Sequence, residues 1–419
     1  MKKVFVMLSG GVDSSVIAAL IKKQGFNVIG VFMKNWSQGL FCSVKQDQKH
    51  ARIVAAKLKI PFYTFNFEQE YKSKVFKPFI SGIKKGITPN PDVLCNEYIK
   101  FGVFLKKSLK LGADFVATGH YAQIRREIIK HKLQISNKSK IKNPKLKTKK
   151  SKIGISIYHL MKGIDETKDQ SYFLYRLNQF QLSKTFFPLG KYKKIKVREM
   201  AKKLELITAY KPDSQGICFV GEEPFEKFLS HYIKENPGNI IDKKGKIIGK
   251  HKGARFYTIG QRKGLGISSV KPFFVIKKDI KKNEIIVGYE DDKKLFKKSL
   301  TIKDLSEVFP NSLNILKKDI KKNEIIAGYE DDKKLFKKSL TIKDLREVFP
   351  NSLNILKKDI KNITVRIRYR QEDQKIKNIK LLKTGKLKII FQEFQRAITK
   401  GQSAVIYKRD EVLGGGIIC

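Results

Sequence analysis

The sequence predicts an α/β protein: a parallel sheet with crossover helices in its first half, a small central segment, and a β-barrel at the C-terminus. Three observations carry this. Short β-prone runs at Val4–Leu8, Val28–Met33, Phe62–Phe67 and Asp114–Gly119 alternate with amphipathic stretches, the pattern of parallel strands joined by helices. Beyond about residue 208 the character changes to glycine-punctuated sequence, "GARFYTIGQRKGLGI" (Gly253–Ile267), and then to strand-like runs at Ile363–Arg370, Leu387–Phe394 and Ser403–Ile418, which point to a small barrel. Finally, 419 residues with 41% hydrophobic and 11% aromatic content suffice for two or three domains with their own cores. The expected divisions are 1–208, 209–270 and 271–419.

The opening stretch, "MKKVFVMLSGGVDSS", has an apolar run of five residues that ends at Ser-Gly-Gly. That is too short for a signal peptide or a membrane span, so a cytoplasmic protein is expected. Ligands of parallel sheets bind beyond the carboxyl ends of the strands, and the distinctive motifs fall there: "SGGVDSS" after the first strand, "KNW" after the second and "GHYA" after the last. "LSGGVDSSV" (Leu8–Val16) reads as strand, tight loop and helix start. Its glycines let the backbone turn and approach a ligand, successive amides form an anion nest, and the helix N-terminus adds its positive end. It lacks the Gly-Lys-Ser/Thr ending of a Walker A loop. Such a loop suits a pyrophosphate grip with chemistry at the α-phosphate.

"TPNPDVLCNEYIKFG" (Thr88–Gly102) has two prolines, read as excluding a helix before Asp92, with a helical pattern from about Asn96 onwards. Cys95 then lies near a helix N-terminus, where the dipole favours thiolate. Cys218 sits in "KPDSQGICFVG", a turn-rich setting at odds with the apolar burial usual for a structural cysteine. Two such cysteines, 123 positions apart, make a two-thiol mechanism worth proposing. Cys42, Cys95, Cys218 and Cys419 show no Cys-x-x-Cys spacing, so neither a zinc site nor a disulfide framework is expected.

Lys and Arg number 89 against 39 Asp and Glu, a net charge of +50. The balance suits a polyanion such as nucleic acid, although lysine is spread over the whole chain in the way a genome-wide bias would produce. The densest run, Ser136–Lys152, reads as a solvated loop. Lys277–Leu316 and Lys317–Leu356 are 40-residue copies that differ only at Val287/Ala327 and Ser306/Arg346, and "KKDIK" starts a third time at Lys357. With nothing repeating elsewhere this is no solenoid. It reads as a tandem duplication, or a sequence-assembly error, within one barrel element.

These motifs resemble the tRNA-specific 2-thiouridylases, PP-loop ATPases with an adenine nucleotide alpha-hydrolase-like fold. The resemblance rests on "SGGVDSSV", "VFMKNW", "TPNPDVLCN", "ATGHYA", "KDQSYFL" (Lys168–Leu174), "KPDSQGICF", "YTIGQRKGLGI", "RYRQ" (Arg368–Gln371) and the terminal "LGGGII". It runs from end to end apart from the lysine-rich loop and the extra copy. It implies replacement of the carbon-2 oxygen of a tRNA wobble uridine by sulfur, with ATP, accompanied by Mg2+, consumed in adenylating that oxygen. Cys218 would be the persulfide carrier and Cys95 the nucleophile, the two closing a disulfide in each cycle. Leu8, Ser9, Gly10, Gly11, Val12, Asp13, Ser14, Ser15, Met33 and Gly119 would meet ATP. Asn90, Pro91 and Asp92 would meet the target base. Lys168, Asp169, Gln170, Arg368 and Tyr369 would contact tRNA, as would, more weakly supported, His120 and Gln402. Partners implied are the tRNAs for Lys, Glu and Gln and a persulfide-donating sulfur carrier or cysteine desulfurase. Cys42 and Cys419 match no catalytic motif. "TKGQ" (Thr399–Gln402) departs from the family's usual Thr-Pro-Gly-Gln. Two rivals share some of these features: a PP-loop ligase or amidotransferase adenylating a small molecule, which has no use for the cysteine pair, and a non-catalytic RNA-binding protein, in which the cysteines would be dispensable.

Overall fold

The computed structural model describes residues 1–37, 44–133, 151–213, 220, 223–307, 315–319, 324–327 and 359–419. The first strands and helices follow the expected alternation: β1 (Lys3–Met7), α1 (Val12–Lys23), β2 (Asn27–Lys34), α2 (Val44–Lys57) and β3 (Phe62–Asn66). A helical run comprises α3 (Glu68–Tyr71), a π-helical stretch Lys72–Phe76 and α4 (Lys77–Lys84). A second comprises α5 (Pro91–Leu94), a π-helical stretch Cys95–Phe104 and α6 (Leu105–Lys110). The next strand is β4 (Phe115–Ala117). The hairpin β5 (Ala122–Leu133) and β6 (Ser151–Lys162), then α7 (Gln179–Ser183), separate it from β7 (Thr185–Phe186).

The sheet β3-β2-β1-β4-β7 is parallel throughout. Its central strand is apolar on both faces because both are covered. Val4 and Val6 pack toward α1, α2 and α8 (Lys194–Lys203), while Phe5 and Met7 pack toward the helices of residues 68–110.

The helix around Cys95 starts earlier than the sequence pattern implied. Pro91 is its first residue, and the Asn90 side chain caps it by accepting from the Asp92 and Val93 amides. A proline at that position forfeits no hydrogen bond and already has helical φ. The lysine-rich loop also ends sooner than expected, since Ser151 and Lys152 pair with Leu133 and Lys132 in the β5–β6 hairpin. Residues 134–150 lie outside the described residues.

Beyond α9 (Phe225–Ser230), the strands β8 (Gly238–Ile241), β9 (Ile247–His251), β10 (Phe274–Asp279) and β11 (Glu284–Gly288) form a sheet in the order β10-β11-β8-β9. The boundary expected at 270/271 therefore falls inside a domain. β10 and β11 belong with β8, because Val275, Ile285 and Val287 complete the core begun by Ile240 and Phe256. The barrel starts at β12 (Phe296–Glu307). A separate hairpin of β13 (Ile315–Asp319) and β14 (Glu324–Ala327) follows, then β15 (Ile363–Arg366), β16 (Gln374–Leu381), β17 (Leu387–Arg396), β18 (Ser403–Lys408) and β19 (Glu411–Ile418). The order β12-β17-β16-β15-β18-β19, with β12 also paired to β19, closes six strands into a barrel and leaves no free edge among them.

Candidate active site

The loop after β1 is shaped by its own sequence. Gly10 has φ +76°, and a Cβ there would lie 2.2 Å from the Asp47 carbonyl oxygen, so only glycine fits. Ser14 and Ser15 hydroxyls donate to the Gly11 carbonyl at 3.0 and 2.8 Å, and the Ser9 amide donates to Ser14 Oγ at 3.1 Å. These bonds hold the start of α1 open toward the strand end, with its amides and dipole directed there. Leu8 and Val12 are buried beneath the loop. Gly119, after β4, packs closely against Asp13 and Ser14: a Cβ there would stand 3.1 Å from Asp13 Cβ, a contact tight enough to require a small shift. Met33 lies half-buried near the end of β2.

A charged network surrounds this loop. Asp13 accepts from the Tyr121 hydroxyl at 2.8 Å and from Lys194 Nζ at 2.7 Å on both oxygens. Lys194 also reaches Asp213 at 2.9 Å, and Asp213 pairs with Lys168 at 2.7 Å and Arg198 at 2.6 Å. Burial raises the Asp213 carboxyl, but bonds and charge from Lys168 and Lys194 outweigh this and hold it down at about 2. Burial, with the Asp13 charge adding to it, keeps the Tyr121 phenol far above its ordinary range. Arg198 donates to the carbonyls of Ala209 and Lys211, and Lys211 Nζ donates to the Gly10 carbonyl at 3.0 Å while pairing with Asp47. The start of the "KPDSQGICF" motif is thereby fastened to the phosphate loop. Cys218 itself lies outside the described residues, as does Cys42.

Cys95 is buried and opens the π-helical stretch. Wide-turn segments of this kind concentrate at functional sites. Next to it, Asn96 donates to the Phe173 carbonyl at 3.1 Å, and the Phe173 ring meets Tyr369 with centroids 4.6 Å apart. Burial raises the Asp92 carboxyl above the usual range, partly offset by Lys100. Thr88, at the head of the segment, is held from two sides. Its carbonyl accepts from Gln402 Nε2 at 2.8 Å and its amide donates to the Lys400 carbonyl at 2.9 Å, while its hydroxyl lies 3.2 Å from that of Thr258. The "TKGQ" sequence thus grips the cysteine segment despite its missing proline.

The residues read as tRNA contacts divide. Arg368 is exposed, with Tyr369 half-buried beside it in the turn after β15. Lys168 is committed to Asp213. Asp169 is 3% exposed and accepts from the Gly163 amide and from the Ser171 amide and hydroxyl, while pairing with Arg366 at 2.8 Å. It ties the N-terminal domain to the barrel. Gln170 accepts from the Tyr121 amide at 3.0 Å. His120 is internal: Nδ1 lies 2.6 Å from Thr118 Oγ1 and Nε2 lies 3.3 Å from Lys100 Nζ. Burial, reinforced by the Lys100 charge, holds its pKa well below the ordinary value and keeps it neutral.

Sequence reasoning missed Lys194, Arg198, Asp213, Lys211 and Tyr121. Asp213 and Lys211 stand inside a motif already singled out, and their charges in a turn were the available signal. Lys194 had none, being one of six lysines between Lys191 and Lys203.

Parallel sheet, phosphate loop and cysteine helix together define a PP-loop nucleotide-binding domain. A family model described as a tRNA methyl transferase HUP domain matches residues 2–222; a tRNA methyl transferase PRC-barrel domain matches 226–289 and an aminomethyltransferase beta-barrel domain 338–418. Curated relatives include the tRNA-specific 2-thiouridylase MnmA of Bacillus subtilis (strain 168), 40% identical over 422 residues covering 99% of this chain and 94% of that one. The protein of the same description from Streptococcus agalactiae serotype Ia is 40% identical, with 99% and 95% covered. That from Vesicomyosocius okutanii is 41% identical, with 99% and 97% covered. This chain belongs to the tRNA-specific 2-thiouridylase family.

Proposed function

We propose that this chain is an ATP-dependent tRNA-uridine 2-sulfurtransferase that uses Cys218 as sulfur carrier and Cys95 as resolving nucleophile. Besides family membership, one observation supports bringing Cys218 to the nucleotide: Lys211 and Asp213 are fastened to the loop that carries Gly10 and Asp13. Five residues of chain extend at most about 18 Å, which bounds the reach of Cys218 from Asp213.

The uridine is flipped out of the anticodon stack to meet Asn90, Pro91 and Asp92. Its carbon-2 oxygen attacks the α-phosphorus of ATP, and pyrophosphate departs into the amides of Gly10–Ser14. ATP enters as its Mg2+ complex, the metal carried by the phosphates. The terminal sulfur of the Cys218 persulfide forms a bond to carbon 2 as AMP leaves with the former uridine oxygen. The Cys95 thiolate then attacks the Cys218 sulfur, which breaks the sulfur–sulfur bond, frees 2-thiouridine and leaves a Cys95–Cys218 disulfide. An external thiol reductant supplies two electrons to reopen it. Arg368 and Tyr369 face the tRNA, whose Lys, Glu and Gln acceptors are the proposed substrates, and a sulfur carrier or cysteine desulfurase reloads Cys218. Among the described residues no helix is long and apolar enough to cross a membrane; we place the reaction in the cytoplasm.

Mass spectrometry of tRNA nucleosides tests this. Cys95→Ser and Cys218→Ser each abolish 2-thiouridine, while Cys42→Ser retains it. Thiolation surviving in either of the first two overturns the mechanism, as a small-molecule ligase or a non-catalytic binder would require.

A further inference from the structure

"SGGVDSSV" contains no lysine, yet a pyrophosphate brings more charge than a few amides neutralise. The fold delivers a cation from elsewhere. Lys194, the first residue of α8, is 8% exposed and aims its ammonium at both oxygens of Asp13 (2.7 Å each) and at Asp213 (2.9 Å). We infer that Lys194 is the phosphate-binding cation of this loop and that Asp213 is the carboxylate it exchanges for a phosphate oxygen when pyrophosphate or ATP binds. The inference rests on reading the loop as the nucleotide site.

An ammonium has three donors, and these three contacts occupy them. Binding an anion means giving one up, and the partners differ in what they would lose. Among the described residues Asp13 has the neutral Tyr121 hydroxyl as its one side-chain partner besides Lys194, whereas Asp213 keeps Lys168 at 2.7 Å and Arg198 at 2.6 Å. Release of Asp213 leaves every carboxylate of the network partnered and aims the freed donor at the loop. The cluster is balanced as it stands, with Asp13, Asp47, Asp165 and Asp213 against Lys168, Lys194, Arg198 and Lys211, so an arriving anion is met by the donor that Asp213 gives up. Because Asp213 stands in the segment leading to Cys218, the exchange also couples occupancy of the loop to the hold on that segment, and such coupling is reciprocal.

The test is calorimetric titration of the full chain with inorganic pyrophosphate. Loss of one charge-assisted contact predicts that Lys194→Gln weakens binding about 10- to 100-fold, while Lys194→Arg stays within about fivefold because it preserves the charge. Asp213→Asn is predicted to tighten binding several-fold, since the third donor no longer has to leave a carboxylate; a merely structural ion pair offers no such gain. Wild-type affinity in Lys194→Gln overturns the assignment, and unchanged or weakened binding in Asp213→Asn overturns the exchange. Should Lys194→Gln fail to fold, the Arg and Asn variants decide the matter alone. Pyrophosphate binding needs no tRNA, so its expected pattern in a chain that makes no 2-thiouridine would refute the proposed function and leave this inference standing.

Discussion

Replacing Gly10 by alanine separates a close backbone approach from a mere conformational preference, because Gly25 provides the matched control. Both glycines are left-handed, at φ +76° and +83°. At Gly25 a Cβ meets nothing within 4 Å; at Gly10 it lies 2.2, 2.8 and 2.9 Å from the carbonyl oxygen, carbonyl carbon and Cα of Asp47. Gly25→Ala therefore costs the left-handed penalty alone, about 1–2 kcal/mol. Gly10→Ala adds a collision with helix backbone, which cannot swing aside as a side chain could; relieving such overpacking costs roughly 1–3 kcal/mol more. For a domain of this size each kcal/mol lowers the melting temperature by about 2–4 °C, so the two variants should differ by on the order of 2–12 °C in a thermal melt. Gly10→Ala should also lose pyrophosphate binding, since relief displaces either the loop or α2, whereas Gly25→Ala retains it. Equal melting temperatures would show that the approach of Asp47 does not constrain this loop.

Gln402→Ala removes the donor to the Thr88 carbonyl, a net loss of about 1 kcal/mol, and should lower kcat for thiolation with the KM for ATP unchanged; an unaltered kcat would show that the barrel's grip on the cysteine segment is catalytically irrelevant. Deleting Lys317–Leu356 joins Leu316 to the third "KKDIK" and should give a chain at least as stable that still thiolates tRNA, as judged by melting and nucleoside analysis; an unfolded or inactive product would assign the second copy a structural role.

The parallel sheet was legible because each strand is a short apolar run with a glycine or polar break after it, and because covering both faces makes the alternation of side chains unnecessary. The tight loop after β1 was legible for a similar reason: it is a local motif whose backbone requirement selects its residue types. The network around Asp13 was not. Its members come from positions 13, 47, 121, 168, 194, 198, 211 and 213, and no local pattern distinguishes a lysine that will be buried against two carboxylates from the many that stay in water. His120 and Asp169 show the converse. Both stand in recognisable motifs, yet the fold turns them inward, toward Thr118 and Lys100 and toward Ser171 and Arg366.

The duplication shows how a nearly identical sequence acquires unequal places. The first copy serves two domains: Lys277–Gly288 supplies strands to the central sheet and Phe296–Glu307 closes the barrel. The second copy repeats the hairpin with the same register, Asp319 opposite Glu324 and Lys318 opposite Ile325 as Asp279 is opposite Glu284 and Lys278 opposite Ile285, so local sequence alone cannot choose between them. One of the two substitutions can. Val287 is fully buried in the core shared by the central sheet and the N-terminal helices, where the second copy carries Ala327. Placing that alanine there would remove two methyl groups from a packed site, at about 1–3 kcal/mol by the scale of large-to-small core changes, a factor of roughly 5–150 in population. The first copy is therefore the better tenant of the central sheet. The barrel strand has no such discriminator over Phe296–Leu305, which the second copy reproduces residue for residue at Phe336–Leu345, and the family model for the barrel accordingly begins its match at residue 338. Removing Lys277–Leu316 instead of Lys317–Leu356 leaves the same chain apart from alanine and arginine at the two variable positions, so a barrel of unchanged topology with a weaker central sheet is what the packing requires of it.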